Sequence, residues 1–461
     1  MIQKLLIFAA LILIYLVWYL FESKDRHYLI LSFVITCIPF QMAFPVFTPL
    51  YNSLDGTGTL TSKIYITIPL VASVILMLTR TNQSLLTYYK NERWVLVILG
   101  LAVISICNPF NYAMLATVAF VVTLLSYVVF FKLMSNLLSP PEVVKAVFAS
   151  FMFLCGLQLV LAILYPLLGM SFVTTLFQSG GEEWATREGT RAGAIGVFVT
   201  PANLGLFTTI ASAFFYSTYL SGYRKALSLT LLLANAFTII LTYSRTSYIT
   251  LVFVLFIMFF IYKNSDKPLF SLKSIFLGIL PALLVVYWLV FYSPLSDVFL
   301  KTDADDMYQA RLDHWLIGLE IFKESPIIGV GINTHVEFIN HSISFVKQIH
   351  NSFLSSNPIH NTHIIIMAET GIIGFICWIY FIFSSVVKAK ENLSINNNVV
   401  FSLAQIGLII TFVIYGFTDW APLSNSTFPI FLLFTYYSNK YSVGLNLLTP
   451  RIKNNIILSK S

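Results

Sequence analysis

The chain has 461 residues, of which 57% are hydrophobic, 16% are aromatic and only 10% are charged. Soluble globular domains are about 45–50% apolar and about 25% charged. With a mean hydropathy of +0.82, this composition excludes a water-soluble enzyme, a disordered protein and a disulfide scaffold. The net charge of +7 is typical of basic cytoplasmic loops in a membrane protein and does not by itself indicate a nucleic-acid partner.

The first apolar stretch, Met1 to Phe21, has no small-x-small cleavage site before the charged cluster at 22–26. We therefore predict that it is a retained first helix and not a signal peptide. The four cysteines all lie in or beside apolar runs, and we interpret them as small buried hydrophobic residues without a redox or metal role. They are Cys37, Cys107, Cys155 and Cys377.

Thirteen apolar runs along the chain are candidates to cross about 30 Å of hydrocarbon as helices. In chain order they are 2–21, 28–47, 63–79, 94–107, 111–131, 143–166, 194–220, 224–242, 247–263, 270–292, 360–387, 399–418 and 426–439. Two of the runs, 94–107 and 426–439, are short. We therefore predict an all-α, polytopic membrane helix bundle of 12–14 transmembrane helices, forming one domain over residues 1–461 with one large loop at 293–359.

Lysine and arginine residues fall mainly in alternate loops, which are expected to face the cytoplasm. Eighteen of the 27 basic residues lie in these loops and in the C-terminal tail. The alternation predicts thirteen spans with the N-terminus outside. The remaining loops, which include 167–193, 243–246 and 293–359, are then predicted to share the outer face.

The basic residues on the predicted outer side are the exceptions to this charge pattern. Most of them lie in three places, one of which is the long loop with Lys301, Arg311, Lys323 and Lys347. Arg187 and Arg191 lie in one outer loop, and Arg245 lies in a tight polar turn, Leu-Thr-Tyr-Ser-Arg-Thr-Ser-Tyr, between two apolar runs. A charged residue at that depth costs up to about 2.5–3.5 kcal/mol on insertion scales. Arg245 either snorkels to lipid phosphates or faces an anionic ligand inside the protein, and we favour the second interpretation.

The loop at 293–359 is the only large polar segment, and six of the seven histidines lie within 314–363. Its opening sequence, Asp303-Ala-Asp305-Asp306, could hold a divalent metal, but capping of the following helix is the simpler explanation. An amphipathic helix is predicted over about 306–325, lying on the outer leaflet or across the mouth of the bundle. Its predicted apolar face consists of Leu312, Trp315, Leu316, Leu319 and Phe322.

The sequence His360-Asn361-Thr362-His363 opens the next long apolar helix. Helical spacing places His360, His363, Gly371 and Gly374 on one face, where the glycines would let another helix approach closely. A histidine at the outer end of such a helix could act as a general base or orient a hydroxyl group. A structural histidine and half of a zinc site are the alternatives, but no further zinc-ligand motif accompanies the pair.

Four segments together resemble the bacterial O-antigen ligase/O-antigen polymerase superfamily. They occur in order over about 190–375, and each is a weak motif by itself. They are Arg191-Ala-Gly193 with Pro201-Ala-Asn203; Thr242-Tyr-Ser-Arg245-Thr246; Arg311-x-x-x-Trp315 with Pro326-x-x-Gly329-x-Gly331; and His360-Asn361 followed, after nine intervening residues, by Gly371-x-x-Gly374. The family is usually drawn with twelve spans and both termini inside, whereas our count is thirteen.

The resemblance implies a metal-independent, inverting membrane glycosyltransferase of GT-C-like architecture in the bacterial inner membrane, with its active site facing the periplasm. The donor would be a glycan on undecaprenyl diphosphate, and no cofactor would be required. His360 would be catalytic, and Arg191, Arg245 and Arg311 would bind the diphosphate through charge-assisted bonds. Supporting residues would be Trp315, Asn361, His363, Glu369, Gly371 and Gly374.

The acceptor distinguishes two reactions within the superfamily. A ligase transfers the glycan to lipid A–core, whereas a polymerase extends one lipid-linked glycan with another, and we hold the ligase slightly ahead. A lipid-linked glycan transporter is the alternative from another class, supported by the intramembrane acid Glu369 and the near-membrane acid Asp419. The concentration of polar groups on one side, without a repeat between the two halves, favours an enzyme.

Overall fold

The computed structural model describes residues 2–22, 26–40, 43–47, 64–79, 93–177, 193–198, 200–264, 272–292, 304–342, 358–394 and 399–440. Most of these residues are helical, and the prediction of an all-α polytopic membrane bundle is confirmed. Each of the thirteen predicted apolar runs contains a helix.

The helices before the long loop are α1 to α10. Their bounds are Ile2–Phe21 (α1), Tyr28–Cys37 (α2), Ile68–Thr79 (α3), Arg93–Ile106 (α4), Met114–Leu137 (α5), Pro140–Phe177 (α6), Pro201–Leu220 (α7), Lys225–Thr242 (α8), Arg245–Lys263 (α9) and Leu272–Phe291 (α10). The loop contributes α11 (Ala304–Glu324) and α12 (His335–His341). The chain then forms α13 (Thr362–Ser394), α14 (Val399–Gly416), a short 3₁₀ turn (Ala421–Leu423) and α15 (Phe428–Lys440).

Six of the described helices have a stretch that is long and apolar enough to cross a membrane: Met114–Leu137, Pro140–Tyr165, Lys225–Thr242, Arg245–Lys263, Thr362–Leu393 and Val399–Gly416. Shorter apolar helices pack around them, and the protein is a multi-pass membrane protein. The total number of spans and the side of the N-terminus remain predictions.

Two of the predicted spans are partly strand, which corrects the sequence prediction. Helix α2 ends at Cys37, and Ala43–Phe47 (β1) pairs antiparallel with Ile64–Thr67 (β2), Ala43 opposite Thr67. Proline explains the change. Pro39 and Pro45 lack the backbone N–H that a helix interior needs, and Phe44, the residue before Pro45, is extended.

Helices α7 and α14 form the centre of the bundle, and both bury most of their residues. Buried hydroxyls on α7 donate to carbonyls of their own helix, as Thr209 Oγ1 does to Gly205 O at 2.7 Å. Small residues permit close packing: a Cβ on Gly407 of α14 would lie 2.7 Å from Ala213 Cβ of α7. The helices whose ends form the site described below pack around this closely packed centre.

A second apolar cluster lies under the long loop. It joins α11, α12, the segment between them and the first turns of α13, and it consists of Ile321, Val330, Phe338, Ile339, Ile359, Ile365 and Ala368. Because these residues are all at most 3% exposed, the described part of the loop is packed onto α13 and does not extend freely from the bundle.

The buried face of α11 differs from the predicted one. His314 and Ile321 are buried and Gly318 lies against Ile364, whereas Leu316 is 59% exposed. The helix runs alongside α13, and the contact requires a residue without a side chain: a Cβ on Gly318 would lie 2.3 Å from Ile364 Cγ2. Close approach at this glycine selects the buried face, although the opposite face carries more hydrophobic residues.

Helix α13 is broken at Gly371, which has φ 63° and ψ −167°. The turn after α11 fills the break with two pairs of backbone hydrogen bonds. Gly331 N donates to Glu369 O at 2.9 Å and Ile372 N donates to Pro326 O at 2.9 Å. Backbone groups that the break removes from the helix ladder are thereby satisfied, as a nonpolar environment requires.

Candidate active site

His360 lies in the residue pair just before α13 begins, and two residues of α11 hold it. Its ring stacks on that of His314, with centroids 5.1 Å apart and an interplanar angle of 15°. Trp315 Nε1 donates to the His360 carbonyl oxygen at 3.2 Å. The side chain of His360 remains 21% exposed, so it can meet a substrate.

Asp419 faces the same histidine from the turn after α14. Its Oδ1 lies 3.7 Å from His360 Nδ1, and it also accepts from the backbone N–H groups of Trp420 at 2.7 Å and Ala421 at 3.2 Å. Burial alone would raise the pKa of Asp419, but His360 and these N–H groups lower it below its usual value. The carboxylate therefore stays charged and can stabilise a proton on His360.

Asn361 caps α13. Its Oδ1 accepts from the backbone N–H groups of His363 and Ile364, each at 3.0 Å, which satisfies two of the free donors at the helix start. The next residue, Thr362, donates from Oγ1 to Asp419 O at 2.8 Å. The motif thus fixes the chain on both sides of the Asp419–His360 pair.

His363 does not share a face with His360, which corrects the helical-spacing prediction. Because α13 begins only at Thr362, the spacing cannot be extended back to His360. The His363 ring instead packs on Phe417, with centroids 4.7 Å apart, and its Nε2 lies 3.2 Å from Val413 O of α14. It belongs to the contact between α13 and α14.

Arg245 is the first residue of α9, and its side chain is exposed at the same end of the bundle. Ser244 caps the helix. Thr246 Oγ1 donates to Thr418 Oγ1 at 3.1 Å, one residue before Asp419. Arg311 of α11 lies close enough for its charge to act on that of Arg245. The structure therefore places Arg245 and Arg311 within electrostatic reach of each other, on helices whose neighbouring residues Thr246 and His314 contact Thr418 and His360.

The third predicted arginine, Arg191, lies outside the described residues. The described chain resumes at Gly193, and Ala194 N donates to Leu241 O at 2.9 Å. A Cβ on Gly193 would lie 2.0 Å from Thr242 O. The segment that starts two residues after Arg191 thus packs against the end of α8, next to the turn that carries Arg245.

Glu369 is engaged within the protein. Its Oε1 accepts from Thr334 N at 3.0 Å and lies 2.6 Å from His335 Nδ1. Its side chain is 6% exposed and that of His335 is 1% exposed. The acid that the sequence left as a candidate for a transport pathway is therefore buried against a histidine at the start of α12.

The two predicted glycines act differently from the expectation that they admit another helix. A Cβ on Gly371 would lie 2.3 Å from the backbone of Ile327, in the turn that fills the break. A Cβ on Gly374 would lie 2.0 Å from Thr370 Oγ1, on its own helix. Gly371 is required because its positive φ and the neighbouring backbone exclude a side chain.

His314 is nearly fully buried beneath His360. Burial, reinforced by the neighbouring His360 and His335, lowers its pKa to about 3. It is therefore neutral at physiological pH and provides an uncharged surface under the partly exposed ring of His360.

Metal ligation finds no support in the described ranges, where no group of three or more His, Cys, Asp or Glu side chains could hold an ion. Asp303 lies outside those ranges, and the side chains of Asp305 and Asp306 are not described either. Metal independence stays a prediction for the chain as a whole.

Sequence reasoning missed three residues of the cluster: Asp419 as a partner of His360, His314 as its stacking surface, and His335 as the partner of Glu369. Asp419 follows His360 by 59 positions, so no spacing rule connects them. The available signal was the polar pair Thr418-Asp419 interrupting two apolar runs. The concentration of histidines in the loop was a further signal, without indicating which of them meet.

A comparison with known families matches residues 229–379 to the O-antigen ligase family. A Haemophilus influenzae protein, described only as an uncharacterized protein, is 28% identical over 132 residues. That similarity covers 28% of this chain and 33% of the relative, so the matched region spans about a third of the relative's length.

The fold and site define a multi-pass membrane protein with an arginine pair and an acid–histidine pair at one end of its bundle. Its matched segment contains Arg245, Arg311 and His360 and ends just after Gly374. The predicted resemblance is confirmed over that segment, which matches the O-antigen ligase family. The match supports an enzyme of the membrane glycosyltransferase type.

Proposed function

We propose that the protein transfers a glycan from undecaprenyl diphosphate to an acceptor hydroxyl at the periplasmic face of the bacterial inner membrane. The observation that carries this proposal is the partly exposed His360, paired with Asp419 at 3.7 Å, at the same end of the bundle as the Arg245–Arg311 pair. A base and a cationic site side by side suit attack by a hydroxyl with departure of an anion.

The arginine pair supports an anionic ligand. Two guanidinium groups near each other repel, and nothing in sequence position requires them to meet, since 66 residues separate Arg245 from Arg311. A diphosphate between them would convert this repulsion into bidentate, charge-assisted hydrogen bonds. Arg191 is proposed as a third contact, because the chain that follows it packs beside the Arg245 turn.

The proposed step balances without a metal or a cofactor. His360 removes the proton of the acceptor hydroxyl, and the oxygen of that hydroxyl attacks the anomeric carbon of the donor. The bond from that carbon to the diphosphate oxygen breaks, and the diphosphate leaves with the electron pair, which the arginines stabilise. Attack opposite the leaving group inverts the anomeric configuration. Asp419 stabilises the imidazolium, and Trp315 and Asn361 hold the chain that carries it.

The proposed acceptor is lipid A–core, as for a ligase, with repeat-unit polymerisation on a lipid-linked glycan as the second candidate. Both reactions use the same donor site and base, so Arg245 and His360 do not distinguish them. The transporter alternative loses its main support, because Glu369 is hydrogen-bonded within the protein and Asp419 faces His360.

Deleting the gene and separating the surface polysaccharide on a gel tests the reaction class. Loss of a ligase leaves bare core, with long glycan accumulating on undecaprenyl diphosphate. Loss of a polymerase leaves core with a single repeat. An unchanged ladder contradicts both reactions.

Point variants in membrane vesicles test the site. His360→Ala is expected to lower transfer by about 10²–10⁴-fold, and Arg245→Ala to abolish donor use. Arg245→Lys should rescue poorly, because lysine has no planar fork. Lys323→Ala is the matched control: this cation lies on α11 but is paired with Glu320 at 2.5 Å, so its loss should leave transfer unchanged. Full activity in His360→Ala contradicts the proposal.

A further inference from the structure

A second acid–histidine pair is buried beside the proposed active site. Glu369 Oε1 lies 2.6 Å from His335 Nδ1, 3.0 Å from Thr334 N and 3.4 Å from His335 N. One carboxylate oxygen therefore gathers three N–H donors from the start of α12. Charge-assisted hydrogen bonds of this kind are the stronger ones in proteins.

This pair holds the loop against α13 beside the break at Gly371. Val330 N donates to Ala368 O at 3.0 Å and Gly331 N to Glu369 O at 2.9 Å. Thr334 continues the same turn and donates from Oγ1 to Gly331 O at 2.6 Å. The turn from Gly329 to Thr334 is thus fixed to α13 by backbone bonds on one side and by the Glu369 carboxylate on the other.

The pair reaches the exposed histidine through His314. The turn that follows α11 is held to α13 by the Glu369 carboxylate and by backbone bonds, and α11 carries the His314 ring, which stacks on His360 at 5.1 Å. The rings of His314, His335 and His360 come from α11, α12 and the segment just before α13. A displacement of His335 would therefore be felt by the surface on which His360 rests.

The Nε2 atom of His335 shows that the histidine at this position is not explained by packing alone. Its Nδ1 lies 2.6 Å from the Glu369 carboxylate, so the ring donates through that atom. This Nε2 is buried and has no hydrogen-bond partner among the described residues. Leaving a buried polar group unsatisfied costs about 1–3 kcal/mol, and an apolar side chain would avoid that cost. The position therefore uses histidine for its Nδ1–H bond to Glu369.

We propose that His335 and Glu369 are positioning residues that hold His314 in place. Through His314 they keep His360 in the orientation needed to remove the proton of the acceptor hydroxyl. The assignment rests on the function proposed above. His335 is 1% exposed against 21% for His360, so it does not meet substrate itself. Its contribution is geometric, through the N–H donated to Glu369.

Conservative variants separate a geometric role from a chemical one. Asn at position 335 places an N–H near that of Nδ1 and can keep the bond to Glu369, whereas Ala cannot. Gln at position 369 keeps a carbonyl oxygen for the three donors but loses the charge. The matched control is His341→Ala, since His341 lies in the last turn of the same α12 and is exposed.

Each variant is purified, reconstituted in vesicles and assayed with undecaprenyl-diphosphate-linked glycan and lipid A–core. We expect His335→Ala and Glu369→Ala to lower kcat at least tenfold per folded molecule, with KM for the donor within about twofold, because the arginines are untouched. His335→Asn and Glu369→Gln should recover most of kcat. His341→Ala should match the parent protein.

Two results overturn this inference. If His335→Asn is as inactive as His360→Ala, His335 takes part in proton transfer. If kcat per folded molecule is unchanged in His335→Ala, the pair has no role in transfer. Because His335→Asn and Glu369→Gln retain the buried hydrogen bond, they test the idea even if the alanine variants fail to fold. Full activity in His360→Ala instead contradicts the proposed function, whatever the variants at 335 do.

Discussion

The two parts of α13 on either side of Gly371 face different surroundings. From Asn361 to Gly371 no residue is exposed. Beyond the break, residues alternate between contact with the bundle and open apolar surface, where the exposed residues are Ile372, Ile373, Ile376, Ile379, Tyr380 and Phe383. One continuous apolar helix in the sequence therefore has a part covered by protein and a part whose outer side is available to lipid.

Length accounts for the division. At 1.5 Å per residue, the 33 residues of α13 span roughly 50 Å, whereas the hydrocarbon core is about 30 Å thick. About twenty residues suffice to cross it. The first three turns are left over, and they are the ones that carry the cap, the Glu369–His335 pair and the contacts of α11.

The comparison teaches that apolar residues serve two purposes here. Ile365 and Ala368 in the covered part hold the loop by packing with Ile321 and Val330, whereas Ile376 and Ile379 present surface to lipid. A buried residue in the covered part should be sensitive to truncation, and an exposed one beyond the break should not.

The largest expected effect is that of Gly371→Ala. The residue has φ 63° and ψ −167°, a region that is essentially restricted to glycine and costs other residues about 1–3 kcal/mol. The added Cβ would also lie 2.3 Å from the Ile327 backbone, which cannot rotate away. We expect little folded protein in the membrane, measured by size-exclusion profile and thermal unfolding in detergent.

Gly156→Ala is the control for that substitution. Gly156 lies inside α6, and no atom lies within 4 Å of a Cβ added there. Alanine in a helix interior is favoured over glycine by about 1 kcal/mol, so this variant should be at least as stable as the parent protein. A folded, active Gly371→Ala protein would show that the break is not needed.

The next largest effect compares two isoleucines of the same helix. Ile365→Ala removes a side chain that is fully buried under the loop, and such truncations cost about 2–5 kcal/mol. Ile376 is 60% exposed, and Ile376→Ala should change the unfolding free energy by less than about 0.5 kcal/mol. Thermal unfolding in one detergent measures both. Equal losses would contradict the division at Gly371.

A pH effect is expected from His314, in the covered region. Its pKa is lowered to about 3, first by burial and then by His360 and His335, against an ordinary value of about 6.5. Between these values the unfolded chain binds a proton that the native protein does not, so acidification destabilises the fold. From pH 7 to pH 5 the loss is about 2 kcal/mol, and it is complete below the native pKa.

The measurement compares how much the unfolding free energy falls between pH 7 and pH 5 in two proteins. Unfolding of the parent protein and of His314→Gln is followed at pH 7 and pH 5, and the variant should lack that share of the acid destabilisation. His341→Ala, which removes an exposed histidine, should keep the parent's slope. A His314→Gln protein with the same pH dependence as the parent would mean that His314 titrates in its ordinary range.

The sequence alone predicted the helices well, because a bilayer imposes long apolar runs that composition reveals directly. It failed where backbone geometry decides: Pro39 and Pro45 end the helix of the predicted 28–47 span and leave its last part as a strand, and Gly318 selects the buried face of α11. Both errors came from counting hydrophobic residues where steric fit was decisive.

The site was predictable to the extent that each part is a local motif. Arg245 stood out as a charge between two apolar runs, and His360 as a polar residue at the start of a helix. Asp419 and His335 could not be paired with their partners, since those contacts join segments 59 and 34 positions apart. Only the folded chain determines which polar residues meet.

The smallest effect is expected at Asn361, which caps the covered part of α13. Asn361→Ala removes the oxygen that accepts from His363 N and Ile364 N, and loss of such a cap costs about 0.5–2 kcal/mol. Asn361→Asp and Asn361→Ser keep an acceptor and should lose only a few tenths of that amount.

Because His360 is the neighbouring residue, fraying of the helix start should also lower kcat a few-fold in Asn361→Ala, with KM for the donor unchanged. Thermal unfolding and vesicle transfer assays measure the two effects together. If Asn361→Asp and Asn361→Ser lose as much stability and as much kcat as Asn361→Ala, the Asn361 amide is needed for a contact other than the cap. One such contact is the hydrogen bond that its Nδ2 donates to Phe417 O at 3.4 Å.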